Sequence, residues 1–516
     1  MALAGRCVDA VVRCDSGHQA VPKPRLSERR GALIRSSLLV LTLSPGHASA
    51  QQAVPTASYH VQVIETARAR IAVRATVPSD GAVLRMAESR PGDVPELTDA
   101  GWPALVQHLK VTDAEGRAVG MMGVGPAGWT LARSVRGPLT LEYEVDYARL
   151  AAHGWPAPRE TAFADAEHLI VIGRSLFIVT PLQRTSEVRF ALPRGWQAVV
   201  PWPMVGGGRQ RATVASTDDL TENLLVFLRG TPDIVTAGGF NLQVITLGHW
   251  QPARAEVRRV LGGALRQLVA FIGFGGHADY LVVLLPQVER GGESFSASFA
   301  LTVETTPSRA NLNDWGNTIA HEVFHYWNGW RLQGADYPSS QWFQEGFTEY
   351  AANRALVAGG LSRADEFFAK LAAHVTKYRT LTTPLDAPGT HKGPPLYSGG
   401  ALVAFTWETM IREATHGERG IGDMLRALLR NTDGGTRHYT WSDIQAALES
   451  AAPGDWGEFY RRYIHGTEPL PLAEAFARVG LRMSQGDDGV MRIEPNSAAS
   501  EPAQLLRRAL MGGSPR

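Results

Sequence analysis

Cysteine is nearly absent from this chain of 516 residues, which contains only two, Cys7 and Cys14. Both lie within the first fifty residues, so residues 51–516 contain none. Disulfide bonds, thiolate nucleophiles and cysteine-bound zinc are therefore excluded from that part of the chain. A metal bound there has to be held by histidine and carboxylate side chains.

An excess of charge of either sign is also missing. Lysine and arginine number 51 against 50 aspartates and glutamates, which gives a net charge of +1. This balance argues against a dedicated nucleic-acid-binding protein, because phosphate recognition requires a basic surface. The hydrophobic fraction of 44% indicates a globular protein rather than a disordered chain, and the length predicts about three domains.

Long apolar runs are missing as well, which bears on membranes and export. No uninterrupted apolar segment reaches the ~20 residues that a membrane-spanning helix needs, so we expect no span in the mature chain. A shorter apolar run at residues 36–43 follows the basic stretch 25–35 and precedes Ala-Ser-Ala at residues 48–50. This order is typical of a secretory signal peptide over residues 1–50 and predicts export to the periplasm or the extracellular space.

Residues 51–246 alternate short β-rich runs with glycine and proline. This pattern predicts a β-rich, sandwich-like N-terminal domain. The predicted strands are 59–64, 70–75, 139–145, 169–172, 187–192 and 224–228.

Beyond residue 246 the pattern becomes mostly helical. The predicted elements are a helix at 253–274, strands at 280–285 and 296–303, and helices at 313–332, 340–358, 363–380, 399–415, 421–431, 441–451 and 455–464. We therefore predict a multidomain α+β protein. Its second domain would cover residues 247–395, a helical domain 396–480, and a short C-terminal extension 481–516.

The segment His321-Glu-Val-Phe-His325 lies in a predicted helix and carries the clearest chemical signal. Residues four apart lie on one helix face, so the two imidazoles can bind one metal ion. Glu322 lies about 100° round the helix, outside the ligand set but close enough to act as a base on a water at the ion. The alternative is that the two histidines simply cover a helix face.

The next predicted helix, 340–358, offers a third ligand. Glu345 would complete a zinc site of two histidines and one glutamate, with a fourth position left for water. Glu349 lies one turn further along, where it can accept a hydrogen bond from the outer nitrogen of His321 and fix its tautomer. For both glutamates the alternative is a solvated helix face.

The two helices together resemble the gluzincin metallopeptidases, in which H-E-x-x-H is followed by W-F-x-E-G-F, here residues 342–347. His325-Tyr-Trp-Asn328, with Phe324 before it, is more similar to the glycyl aminopeptidase family than to the aminopeptidase N family. The interval from His325 to Glu345 is close to that of the aminopeptidase N type and shorter than that of glycyl aminopeptidases. It implies that the loop between the two helices is shorter than in glycyl aminopeptidases.

A further resemblance lies in residues 396–404, which are similar to the Y-x-K-G-A-L-V segment of both families, with Gly399 in place of the lysine. It implies that Tyr397 is the phenol that stabilises the tetrahedral oxyanion. From its sequence context alone, Tyr397 is equally well a packing residue.

Gly291, Gly292 and Glu293 resemble the glycine-rich, glutamate-containing segment of these families. That segment binds the backbone and the N-terminal amine of a peptide, so the resemblance implies a substrate-binding role for all three residues. The alternative for Glu293 is a carboxylate in a turn.

The resemblance implies a thermolysin-like catalytic domain between the β-rich and helical domains. It also implies one Zn²⁺ per chain, a peptide or protein substrate, and an aminopeptidase that prefers small N-terminal residues. Glycyl aminopeptidases commonly carry a PDZ domain, for which we expect residues 481–516 to be too short. Two alternatives remain: a secreted peptide-binding protein with a structural zinc and no turnover, and a zinc hydrolase that acts on another substrate. The oligomeric state is not predicted.

Overall fold

The computed structural model describes residues 56–513, except for residues 67–68, 88–93, 95–96, 98, 207–209, 274–277 and 388–392. The predicted signal peptide at residues 1–50 lies outside this range. None of the helices within it is long and apolar enough to cross a membrane.

The strands of the described chain form four sheets. In chain order they are β1 (Thr56–Glu65), β2 (Arg70–Arg85), β3 (Val106–Thr112), β4 (Met121–Gly123), β5 (Gly128–Asp146), β6 (Ala162–Ala164), β7 (His168–Ile172), β8 (Thr185–Ala191), β9 (Trp196–Val199), β10 (Arg211–Val214), β11 (Leu224–Arg229), β12 (Asp233–Ala237), β13 (Phe240–Thr246), β14 (Ala278–Leu284), β15 (Gly291–Ser294), β16 (Ser298–Thr302), β17 (Leu481–Gln485) and β18 (Met491–Pro495).

Most of the helices follow the third sheet. In chain order they are α1 (Ala148–Ala152), α2 (Gly173–Leu176), α3 (Thr217–Thr221), α4 (Arg254–Ile272), α5 (Leu312–Phe324), α6 (Tyr337–Ala358), α7 (Ala364–Tyr378), α8 (Pro394–Ala414), α9 (Ile421–Asn431), α10 (Trp441–Ala451), α11 (Trp456–Phe459), α12 (Leu472–Arg478) and α13 (Glu501–Leu510).

The first sheet has the order β10-β8-β1-β2-β5-β3, with β4 paired to β5. The pairing of β1 with β8 is parallel, and the others are antiparallel. Along β1 exposed and buried residues alternate, because successive side chains of a strand point to opposite faces. The sheet therefore has one solvated face and one face in the core.

The second sheet, β6-β7-β11-β9, is buried on both faces. In β11, Leu225 and Phe227 pack into the core shared with the first sheet. Leu224, Val226 and Leu228 pack into a separate core with strands of the third sheet. Burial on both faces accounts for the continuous apolar run at this strand.

The third sheet has the order β12-β13-β14-β16-β15 and supports the helical part of the chain. Its central strands β13, β14 and β16 are parallel, whereas the two edge strands are antiparallel to their neighbours. In β14, Leu281 and Val283 face the second sheet, whereas Tyr280 and Val282 pack in the core with the helices. The first, second and third sheets and the helical layer are thus stacked in that order in space.

These observations confirm the multidomain α+β fold with a β-rich N-terminal part and a helical C-terminal part. The predicted boundary at residue 246 coincides with the end of β13, although β12 and β13 already belong to the third sheet. The boundary at residue 395 falls inside α8. The extension beyond residue 480 forms the β17–β18 hairpin and α13.

Several predicted elements differ from the structure, and three of the differences lie in the third sheet and the helical part. The helix expected at 313–332 ends at Phe324, because the Asn328 amide leaves the helix path and donates to carbonyls of α6. The segment from Gly291, expected to precede a strand, is itself the edge strand β15. The helix expected at 455–464 is α11 followed by a π-helical turn, Tyr460–Ile464.

Helices α6 and α8 cross in close contact through glycines. A β-carbon on Gly346 would lie 2.3 Å from the Cα of Gly400, and one on Gly400 would lie 1.9 Å from the carbonyl oxygen of Trp342. No side chain can therefore occupy either position without moving a helix backbone. The contact holds the residue next to Glu345 against the first turns of the helix that carries Tyr397.

We predict that Gly400→Ala lowers the free energy of unfolding by about 1–3 kcal/mol, because the added methyl group overpacks this crossing. Urea denaturation measures the change. Gly457→Ala is the matched control, since its added β-carbon meets only the Gln445 amide nitrogen at 3.9 Å. A Gly400→Ala protein as stable as the wild type would contradict the tight crossing.

Candidate active site

His321, His325 and Glu345 come together in the interior of the protein. Helix α5 supplies the first histidine in its last turn and the second at its C-cap, while α6 supplies the glutamate. The Glu345 Oε2 atom lies 3.4 Å from His321 Nε2 and 3.5 Å from His325 Nε2. All three side chains are buried, and their donor atoms lie within 4.8 Å of one another.

This donor set fits a zinc ion. Tetrahedral zinc with ligand distances near 2.1 Å separates its ligand atoms by about 3.4 Å, close to the two separations found here. His321 Nε2 and Glu345 Oε2 are buried, and apart from the contacts within the cluster neither makes a hydrogen bond in the described part of the chain. Buried polar atoms normally have partners, so these two atoms point to a ligand between them.

The surrounding charges shift the pKa values of Glu345 and His321 in opposite directions. Burial raises the pKa of Glu345, but the attraction of His325 and His321 outweighs burial and lowers that pKa to about 2. Burial lowers the pKa of His321, but its contacts with Glu345 and Glu349 outweigh burial and raise that pKa to about 10. The site therefore attracts positive charge despite its burial.

The outer nitrogens of both histidines have partners that orient the rings. His321 Nδ1 lies 3.3 Å from Glu349 Oε2, in the contact that the sequence predicts. His325 Nδ1 lies 2.9 Å from the carbonyl oxygen of Asn328, which is within reach because α5 ends at Phe324. These contacts direct both Nε2 atoms at the cluster, as outer partners do in zinc sites.

His374 on α7 extends this network, although the sequence offers no spacing that would have indicated it. Its Nε2 atom lies 3.6 Å from Glu349 Oε1, and its Nδ1 atom lies 3.1 Å from the Ser398 hydroxyl oxygen. Asn353 donates a hydrogen bond of 2.9 Å to the same Glu349 oxygen. Burial raises the pKa of Glu349, but His321 and His374 outweigh it and hold the pKa well below its usual range.

Glu322, the candidate base, is fully buried beside the glycine strand β15. A β-carbon on Gly292 would lie 2.1 Å from Glu322 Oε1. The strand can therefore pass this close only with glycine at position 292. This contact brings the segment 291–293 to the helix that carries the two histidines.

Tyr397 lies in the first turn of α8, beside the cluster. Its ring centroid lies 6.2 Å from that of His321, and the two ring planes are 19° apart. The structure thus places the phenol next to the candidate metal ligands, on the helix fixed by the glycine crossing.

Glu293 on β15 is buried rather than exposed in a turn. Its Oε1 atom lies 3.4 Å from Arg174 Nη2, which also contacts Glu222 Oε2 at 2.6 Å. Burial raises the pKa of Glu293 well above its usual range, and Arg174 offsets only part of this effect. Arg174 comes from the β-rich part of the chain, and sequence analysis missed it.

Arg159 covers the same strand and was also missed. It is buried, and a β-carbon on Gly291 would lie 2.7 Å from its guanidinium carbon. Its Nη1 atom lies 3.2 Å from Glu289 Oε1. Isolated arginines in β-rich sequence carry no pattern that points to a distant strand.

Two family models match the chain. Residues 58–223 match the peptidase M61 N-terminal domain, and residues 315–386 match the M61 glycyl aminopeptidase model. The chain resembles the M61 peptidases in two separate regions. The expected resemblance to glycyl aminopeptidases is thereby confirmed. The second match includes His321, His325, Glu345 and Glu349 but neither Tyr397 nor the segment 291–293.

Solved structures share the fold. An aminopeptidase N family protein from Idiomarina loihiensis has a TM-score of 0.65 and 17% identity, covering 86% of this chain and 82% of that chain. An M1 zinc metallopeptidase from Deinococcus radiodurans has a TM-score of 0.53 and 16% identity, covering 81% of this chain and 95% of that chain. These identities are too low to show more than the fold. No curated protein matches the chain significantly.

We predict that Glu349→Ala lowers zinc affinity about 10–100-fold, because His321 loses the partner that orients it. Competition with a fluorescent zinc chelator measures the affinity. Glu494→Gln, an exposed carboxylate on β18, serves as the control. Wild-type affinity in Glu349→Ala would show that this contact does not orient a ligand.

Proposed function

We propose that the protein is a zinc-dependent aminopeptidase with a preference for small N-terminal residues. The observation that carries the proposal is the buried cluster of His321, His325 and Glu345. It lies within the segment that matches the M61 glycyl aminopeptidase model. The Deinococcus radiodurans protein, a relative in fold, is described as a zinc metallopeptidase, and a variant of it is described as bound to the substrate Tyr-Ser-Ala.

The three cluster residues would hold one zinc ion through His321 Nε2, His325 Nε2 and Glu345 Oε2. When bound, zinc polarises the scissile carbonyl and lowers the pKa of a water molecule from near 16 toward about 7. Glu349 and the Asn328 carbonyl keep the two imidazoles oriented for this task.

Glu322 is the proposed general base. It would take the proton from the attacking water and pass it to the leaving amine, which is the usual part of a glutamate next to a zinc-ligating histidine. The close passage of Gly292 limits where its carboxylate can lie.

Tyr397 is the proposed donor to the oxyanion that forms from the carbonyl. Its ring is nearly parallel to that of His321 and lies beside it. The helix that carries it is held in place by the glycine crossing. Donors of this kind contribute about 10²–10³ in rate. A phenol at this place adds a hydrogen bond where negative charge develops.

The segment 291–293 is the proposed site for the amino end of the substrate. Because β15 is an edge strand of the third sheet, a peptide can pair with its backbone, and the buried side chain of Glu293 can accept a hydrogen bond from the amine. Arg159 and Glu322 cover Gly291 and Gly292 on the strand. The crowding at these two glycines supports the proposed preference for glycine or alanine as the first residue.

Glu322→Gln tests this mechanism. We expect the variant to bind zinc like the wild type and to lose about 10²–10⁴ in kcat, because the general base is gone. Zinc is counted by elemental analysis, and kcat is measured on alanyl and glycyl peptides. Glu474→Gln, an exposed carboxylate on α12, is the control.

The same assay distinguishes the alternatives. Cleavage of peptides with a free amine but not of N-acetylated ones, abolished by chelation, supports an aminopeptidase. Equal cleavage of both kinds would contradict the role of Glu293. Bound zinc without any cleavage would favour a peptide-binding protein, and near-wild-type activity of Glu322→Gln would refute the mechanism.

A further inference from the structure

A cavity of about 500 Å³ lies between the start of α6 and later segments of the helical part of the chain. None of the candidate catalytic residues lines it. Its lining includes Trp441, Tyr460 and His465 from the helical part, and Phe343 and Tyr439 beside the start of α6. A cavity of this size is within the range of ligand-binding pockets.

Aromatic rings form much of the lining. The rings of Trp441 and Tyr460 are stacked with centroids 4.0 Å apart and planes 17° apart. His465 continues the stack, 5.8 Å from Tyr460 with planes 18° apart. Phe343 and Tyr439 form a second pair with centroids 5.3 Å apart. Flat aromatic faces of this kind attract a cation.

Two carboxylates line the same cavity, and each has one oxygen, Oδ1, that makes no hydrogen bond to the described residues. The Tyr460 hydroxyl donates to Asp386 Oδ2 at 2.7 Å, and His465 Nδ1 lies 3.0 Å from that same oxygen. Asp336 Oδ2 accepts a hydrogen bond of 2.8 Å from Ser339. The described residues that line the cavity include no lysine or arginine to balance these charges.

We propose that this cavity binds the side chain of an arginine carried by a peptide. A guanidinium group is flat, so it can stack on an end of the Trp441–Tyr460–His465 stack, and it donates paired hydrogen bonds to carboxylates. An ammonium group offers no plane to stack and is more strongly hydrated, so we expect lysine to bind less tightly.

The cavity adjoins α6, the helix that also carries Glu345, but none of the proposed metal ligands lines it. Ser339, which lines it, precedes Glu345 by six residues on α6, a distance of about 9 Å along the helix axis. Binding there requires neither zinc nor turnover, so the proposal goes beyond the peptidase activity.

The test uses Nα-acetyl-arginine amide and its neutral isostere Nα-acetyl-citrulline amide as probes. Both are N-blocked, and binding is followed by tryptophan fluorescence and ligand-observed NMR on the full chain, with and without chelator. We expect the arginine probe to bind at least about tenfold more tightly than the citrulline probe, and equally well after chelation. Peptidase activity is measured separately, so failure of either proposal can be recognised.

Asp386→Asn should weaken arginine binding about tenfold or more, while Glu449→Gln, an exposed change on α10, should leave it unchanged. If Asp386→Asn does not fold, as judged by circular dichroism, the exposed Asp336→Asn carries the test. Equal affinity for both probes would overturn the proposal. So would arginine binding that is lost on chelation, or that is unchanged in a folded Asp386→Asn protein and in Asp336→Asn.

Discussion

Burial of several carboxylates around one point is the constraint on which the candidate active site depends. A buried carboxylate without a partner is costly, so each must be matched by a cation or by hydrogen-bond donors. Glu345 is matched by His321 and His325, and Glu349 by His321 and His374. The same partners fix the direction of the nitrogen and oxygen atoms that zinc requires. The contacts that balance the charges of these carboxylates are thus the same contacts that set the geometry of the metal site.

Close backbone contacts position the other elements around the candidate site. The crossing of α6 and α8 at Gly346 and Gly400 places the helix with Glu345 against the helix with Tyr397. On the other side, Gly292 lets the edge strand β15 pass directly by Glu322. These glycines lie in the segments that suggest the family resemblance. The glycines take no direct part in the chemistry. They allow the close approach that positions the reactive side chains.

Local patterns in the sequence predicted most helices and the spacing of the candidate ligands. A four-residue interval on a helix is a local property, and the structure places the candidate ligands together, although their role in metal binding stays a prediction. The end of α5 at Phe324 could not be predicted, because it depends on Asn328 bonding to carbonyls of α6, a contact between two helices. His374, Arg159 and Arg174 were missed for the same reason. They reach the site from elements far apart in the chain and follow no period.

The direct test of the zinc site is a crystal structure of the zinc-supplemented protein, with diffraction data collected on both sides of the zinc absorption edge. We predict one anomalous peak per chain, about 2.0–2.2 Å from His321 Nε2, His325 Nε2 and Glu345 Oε2. A zinc peak bound elsewhere, or no peak between these three side chains, would contradict the proposed site.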